Sequence, residues 1–230
     1  MCAPINGSRY LIFTFYAYHP TEAIMRTQPT FVHLPAEEID QGGHLIARAF
    51  AADPLACYTC PEPHDYAQRM PWHFSASIRY GHLFGEAITT AGRREALGVW
   101  FPPGATDTTA ERLAQAGIDQ APQQLGVAAA ARFATVSDYI DHCHAEEMTE
   151  PHWYVWLLAV DPQRQEQGVG AALLRSLTTR AAAQEVPVYL WTMQPKSVPF
   201  YEHLGFQVVT HAIEPTSQLP FWTFRRNPKP

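Results

Sequence analysis

From Trp153 to Val160 the chain reads WYVWLLAV, without one charged or amide side chain. A strand with one wet face alternates, whereas an unbroken apolar strand must be covered on both faces, so this segment is predicted to lie inside its sheet. Asp161-Pro162 ends it. Gly168 to Gln184 places Val169, Leu173, Leu177 and Ala181 on one helical face, and Val186 to Thr192 is a second strand. Lys196 to Leu204 follows as a short helix closed by Gly205, then Phe206 to His211 and Phe221 to Arg225 as closing strands. Upstream, TFVHL from Thr30 is a short strand. Ala36 to Phe50 carries Ile39, Leu45, Ile46 and Ala49 at amphipathic helical spacing. A proline-marked loop covers Asp53-Pro54 and Pro61 to Pro63, and a second helix runs through Tyr66 to Leu83. Leu83 to Thr89 and Ala96 to Phe101 flank Ala91-Gly92-Arg93-Arg94 as a hairpin, stopped by Pro102-Pro103-Gly104. Alanine-rich helical sequence then extends from Thr108 to His144, broken at Gly117 and Pro122.

The chain has 230 residues, 47% of them hydrophobic, enough for one large domain with a true core. With 16 Lys+Arg against 22 Asp+Glu the formal charge is -6, which offers no basic footprint for nucleic acid or anionic lipid. Residues 1–29 are set apart as an N-terminal extension and 30–230 as a single domain. Within the extension Tyr10 to Tyr18 (YLIFTFYAY) is apolar, too short to span a bilayer and without the flanks of a signal peptide. It is either an extra edge strand or sequence upstream of the true start, with Met25 as an alternative initiator. A cytoplasmic protein, monomer or homodimer, is expected.

Cys57 and Cys60 form one CxxC pair, and no second pair follows to complete a zinc module. His142 and His144 are the only histidines placed to supplement it, at a spacing that fits no common zinc site. No metal is expected.

The segment QEQGVGAALL, Gln165 to Leu174, lies between the apolar strand and its helix. Two glycines at a helix N-terminus let bare backbone amides face an anion, with the helix dipole behind them. A Walker A loop needs Lys and Ser/Thr after its last glycine, and Gly170 is followed by Ala171 and Ala172. A dinucleotide fingerprint needs a third glycine where Leu173 stands. A pyrophosphate outside both systems remains, beside the plain alternative of a tight strand-to-helix turn.

The order LLAVDP, QxxGxG, helix, strand, SVPFYEHLGF resembles the GNAT acetyltransferase superfamily. RAFAADP, GVWFPPG, EPHWYVWLLAVDP and PFWTFRR make it most similar to the puromycin N-acetyltransferase group within that superfamily. The resemblance implies an α+β fold, a twisted mixed sheet with helices on both faces and a splay between the fourth and fifth strands. It implies acetyl-CoA as co-substrate, with the backbone of Leu158, Ala159 and Val160 along the pantetheine arm. Gln165, Gln167, Gly168, Val169, Gly170 and Ala171 would cradle the pyrophosphate. Tyr201 matches the tyrosine that protonates the departing thiolate, and Ser197 stands where many relatives have a cofactor-contacting asparagine.

The reaction so implied moves acetyl to a primary amine of a small, antibiotic- or toxin-like molecule by direct attack in a ternary complex. The amine must lose a proton before attack, and the apolar strand carries no carboxylate for the purpose. His152 and Glu150, just before the strand, are the candidate bases, with a water chain as the substitute. Trp72, Trp100, Trp153, Trp156 and Trp191 are candidates to line the acceptor pocket, and Glu86 or Glu146 to attract a cationic amine. Two other readings stay open: a peptide or protein N-acetyltransferase, and an acyl-CoA-binding regulator without turnover.

Overall fold

The computed structural model describes residues 29–228; the Tyr10 to Tyr18 segment and Met25 lie outside them. In chain order the elements are β1 (Phe31–His33), α1 (Ile39–Ala49), α2 (Pro54–Thr59), α3 (Pro63–Phe84), β2 (Glu86–Thr90) and β3 (Ala96–Phe101). Then come α4 (Ala110–Gln115), α5 (Ala121–Gln124), α6 (Val127–Glu147), β4 (Trp153–Val160) and α7 (Val169–Ala183). The chain closes with β5 (Val188–Thr192), α8 (Val198–His203), β6 (Gln207–Ile213) and β7 (Pro220–Arg226).

Three expectations need correction. The stretch after Asp53-Pro54 is not loop: Pro54 sits in the first turn of α2, and Asp53 caps it by accepting a hydrogen bond from the Ala56 N–H at 3.0 Å. Leu83 and Phe84 finish α3 instead of opening the hairpin, whose first strand begins at Glu86. The alanine-rich stretch breaks at Gly117 and Gly126, both with positive φ, while Pro122 fits the first turn of α5.

One seven-stranded sheet has the order β1-β2-β3-β4-β5-β7-β6 and is antiparallel except between β4 and β5. The apolar strand β4 is interior, as its composition requires. Against one face Ile46, Phe74, Ile78 and Tyr80 of α1 and α3 bury with Tyr154 and Ala159. Against the other, Leu173, Leu174, Leu177 and Ala181 of α7 bury with Trp153, Val155 and Trp100. The α7 face predicted from helical spacing is thus the buried one. A third cluster joins Leu55 of α2 and Val136 and Ile140 of α6 to Met193 and Phe221, on the edge of β5 and β7.

Two irregularities in β4 open the sheet. Val99 pairs with Leu157 but Trp100 with Val155, so Trp156 is an extra residue, a bulge. On its other edge β4 pairs with β5 only from Trp153 to Val155, opposite Val188 to Leu190. Beyond Val155 the two strands part. This is the expected splay between the fourth and fifth strands.

Candidate active site

The α7 N-terminus stands at the open end of that splay. Gly168 has φ +82°, a left-handed conformation that strains any residue with a side chain. A Cβ on Gly170 would come 2.9 Å from Cγ2 of Val160, so the helix packs onto the strand end only because none is there. The first helical hydrogen bond runs from the Ala172 N–H to the Gly168 carbonyl at 2.9 Å, which leaves the N–H groups of Val169, Gly170 and Ala171 without a partner in the helix. Gln165 and Gln167 shape the loop: their side-chain amides donate to the carbonyls of Val160 (3.2 Å) and Gln163 (3.0 Å). Arg48 and Arg164 are held by Asp161 (2.9 Å) and Glu95 (3.1 Å). The loop therefore offers an anion backbone N–H groups and a helix dipole in place of free cations.

The Asp161 N–H donates to the Glu95 carbonyl at 2.8 Å, which sets the alternation of β4 against β3. By that alternation Ala159 spends its backbone groups on β3, whereas Leu158 and Val160 turn theirs into the gap. Of the three residues expected along a pantetheine arm, two face it and Ala159 does not.

Tyr201, on α8, packs its ring against Phe200, Phe206 and Phe224 at centroid distances of 5.2, 6.0 and 5.3 Å. Burial, helped by the charge of Asp53 on the α1–α2 loop, pushes its phenol well above the ordinary range, so it holds its proton at neutral pH. Ser197 precedes α8 and makes no capping hydrogen bond.

His152 and Glu150 sit elsewhere. They lie at the start of β4, where β4 and β5 are still paired, the opposite end from the gap. The carboxylate of Glu150 is bound by Arg225 at 2.5 Å. His152 Nδ1 lies 2.7 Å from the Glu150 carbonyl, which only accepts, so Nδ1 carries the hydrogen and Nε2 is bare. His144 Nε2, 2.7 Å from that bare nitrogen, must then be the donor. Burial, and for His144 also the neighbouring ring, holds both imidazoles below the usual range, His144 at about 4. Two neutral, mutually satisfied rings clip α6 to the start of β4; neither nitrogen of His152 is left for a substrate.

The tryptophans separate by face. Trp100 and Trp153 are core on the α7 side: Trp100 donates to Glu86 at 2.8 Å, and the Arg180 guanidinium lies 4.8 Å over the Trp153 ring. Trp72, Trp156 and Trp191 pack, partly buried, on the α1–α3 side. Trp156, the bulged residue, stacks on Tyr80 at 4.8 Å and meets Phe101 edge-on at 4.9 Å. Trp191 is the first residue of β5 past its last pair with β4. The positions of Trp156 and Trp191 thus bracket the point where the strands part, next to the fully buried Tyr154. Tyr80 and Tyr154 escaped the sequence reading. The available signal was a phenol inside an unbroken apolar strand, which needs a polar partner wherever it is buried.

Both acidic candidates are already paired. Burial acts against the Glu86 carboxylate, but bonds from Arg180 (2.7 Å, two-pronged) and Trp100 outweigh it and hold it below the usual range on the α7 side. Glu146 is exposed and pairs with His142 at 3.3 Å. With His142 so placed and His144 Nε2 directed at His152, the four-residue zinc grouping does not assemble; among the described residues no group of three or more His, Cys, Asp or Glu is arranged to hold a metal. No helix among them is long and apolar enough to cross a membrane.

Comparison with known proteins agrees with this architecture. Residues 122–208 match the family model for the acetyltransferase (GNAT) domain. An uncharacterized N-acetyltransferase of Schizosaccharomyces pombe is 20% identical over 181 residues, 74% of this chain and 71% of the relative. A crystal structure of a histone acetyltransferase HPA2 and related acetyltransferase from Corynebacterium glutamicum superposes with a TM-score of 0.66 at 20% identity, covering 89% of this chain and 98% of the other. Arylalkylamine N-acetyltransferase 2 from Aedes aegypti shares the fold at a TM-score of 0.55 and 10% identity, over 88% of this chain and 100% of its own. The matched segment, residues 122–208, holds β4 with its parting from β5, the α7 loop and α8, so the likeness to the GNAT acetyltransferase domain rests on the elements that form the site, and the protein is an acyltransferase.

Proposed function

We propose that this protein transfers acetyl from acetyl-CoA to a primary amine of a small molecule, by direct attack in a ternary complex, with residues 30–230 acting as one catalytic domain. The observation that carries the proposal is the parting of β4 from β5 after Val155, with helical N–H groups that have no partner in the helix at one end and the partly buried rings of Trp156 and Trp191 on one face. The pyrophosphate lies on the N–H groups of Gly168 to Ala171, and the pantetheine arm pairs with Leu158 and Val160. The acetyl carbonyl then comes to the bulge at Trp156. The nitrogen lone pair attacks that carbon, the C–N bond forms, the C–S bond breaks, and Tyr201 gives its proton to the thiolate sulfur. Because His152 and His144 are already satisfied by each other, the proton leaving the amine passes to water.

A small acceptor is favoured over an extended peptide because Leu55 of α2 and Val136 and Ile140 of α6 pack with Trp191 and Phe221, so α2 and α6 cover the sheet beside Trp191. The Aedes aegypti protein with the same fold is, by its name, an arylalkylamine N-acetyltransferase. The test is thiol release from acetyl-CoA over a panel of small amines that includes puromycin, with coenzyme A binding measured in parallel. A protein that neither binds nor turns over acetyl-CoA sinks the proposal, and binding without transfer to any amine returns the regulator reading.

A further inference from the structure

A cavity of about 490 Å³ opens between α1 and the turn of the β2–β3 hairpin, a size that holds a small organic molecule. Its floor is apolar: Leu34, Leu45 and Leu97 belong to the core on the α1–α3 side of the sheet. Glu38, Gln41, Leu45 and Arg48, three or four positions apart, form the α1 wall. Arg93 and Arg94 of the hairpin turn and Asp161 at the end of β4 form the wall opposite. Asp161 is its one residue in common with the turn that leads to the glycine loop, and α7 packs on the other face of the sheet. The cavity is thus separate from the gap between β4 and β5.

We propose that this cavity is a second binding site, for a small organic monoanion: a carboxylate on an apolar body, with the charge at the rim and the body on the leucines. Three guanidiniums and two carboxylates line it. Both carboxylates are taken, since Asp161 holds Arg48 at 2.9 Å and Glu38 receives two bonds from Arg94. A cationic ligand would have to displace an arginine from one of them. Arg93 is the cation left over. Its side chain is 73% exposed, and Glu95, 3.7 Å away, lies nearer to Arg164 at 3.1 Å. Beside it, the Gln41 amide and the His44 ring have no partner among the described residues, and each can donate to a carboxylate oxygen. Inorganic phosphate could use the same donors but would leave the leucines wet, so the apolar body is part of what the site recognises.

The probes are 2-naphthoate and its neutral counterpart 2-naphthylmethanol, titrated calorimetrically into the full chain with and without coenzyme A. The acid should bind at least about fivefold more tightly than the alcohol, and equally well when coenzyme A is present. Arg93→Gln should remove most of that preference and leave the alcohol unchanged, whereas Arg93→Lys should keep it. Gln41→Trp, which fills the mouth from the exposed side of α1, should weaken both probes at least about fivefold. Both positions are exposed, so the variants should unfold thermally as wild type does. Absence of binding, displacement of 2-naphthoate by coenzyme A, or a preference for the acid that survives Arg93→Gln overturns the inference. None of these outcomes bears on acetyl transfer, because neither probe is an amine and no turnover is read.

Discussion

Acidification should destabilise this protein well above the pH at which carboxylates titrate, because two histidines are buried uncharged. His73 lies between Phe74 and Phe133, and burial alone lowers it to about 4; His144 is lowered to about 4 by burial and by His152. In the unfolded chain each returns to about 6.5, so between these values the unfolded state binds protons that the folded state refuses. The stability is therefore fully present above about pH 6.5 and is lost as pH falls toward 4. Each imidazole contributes roughly 3 kcal/mol over the whole interval, and about 2 kcal/mol of that is lost between pH 7 and pH 5. The perturbation is His144→Gln, which cannot titrate but keeps an amide N–H for His152. Urea midpoints followed by tryptophan fluorescence at pH 7 and pH 5 give the comparison. The variant is weaker at pH 7, having lost the stack on Tyr154, but its loss on acidification should be smaller than that of wild type by about 2 kcal/mol. The carboxylates held low by arginines, Asp161 and Glu86 among them, titrate identically in both proteins and cancel. Equal losses in variant and wild type would refute a neutral His144. His73→Leu, tested in the same way, checks the second ring independently.

Under the proposed mechanism Tyr201→Phe should lower kcat by about a hundredfold or more while coenzyme A affinity, measured by calorimetry, stays put, since the group removed is the proposed proton donor. Gly170→Ala forces its new Cβ against Val160 at 2.9 Å and should weaken acetyl-CoA binding several-fold, whereas Gly168→Ala strains a residue at φ +82° and should cost roughly 1 kcal/mol in thermal unfolding as well. Glu86→Ala removes the partner of the buried Trp100 indole and of Arg180, so it should destabilise by about 1 to 3 kcal/mol yet leave KM for amine and acetyl-CoA unchanged. A change in amine KM there would mean that Glu86 serves the acceptor after all.

The legible parts of the site were those written in consecutive residues. The loop from Gln165 to Ala171 is one turn and one helix start, so its glycines and the start of α7 follow from local sequence. Tyr201 was legible through its place in SVPFYEHLGF, and nothing but the ring packing of Phe206 and Phe224 shows how fully its phenol is desolvated. His152 and Glu150 illustrate the opposite. Nearness in sequence to the apolar strand put them at its wrong end, because the gap opens after Val155 and they precede Trp153. The alanine-rich α6 has no sharp apolar stripe, so the sequence did not say which of its acids turns inward.

Local chemistry in the chain determined the interior position of β4, the inward face of α7, the capping and turn points, and the glycine loop that opens α7, because each depends on neighbours a few residues apart. Only the tertiary structure decided that Trp156 bulges, that β4 and β5 separate beyond Val155, and that Trp100 and Trp153 belong to one face while Trp156 and Trp191 belong to the other. It alone matched His144 of α6 to His152 and stacked its ring on Tyr154 of β4. Those arrangements join segments far apart in the chain, and the energies that fix them, burial of rings and of uncompensated charge, exist only once the helices are packed on the sheet.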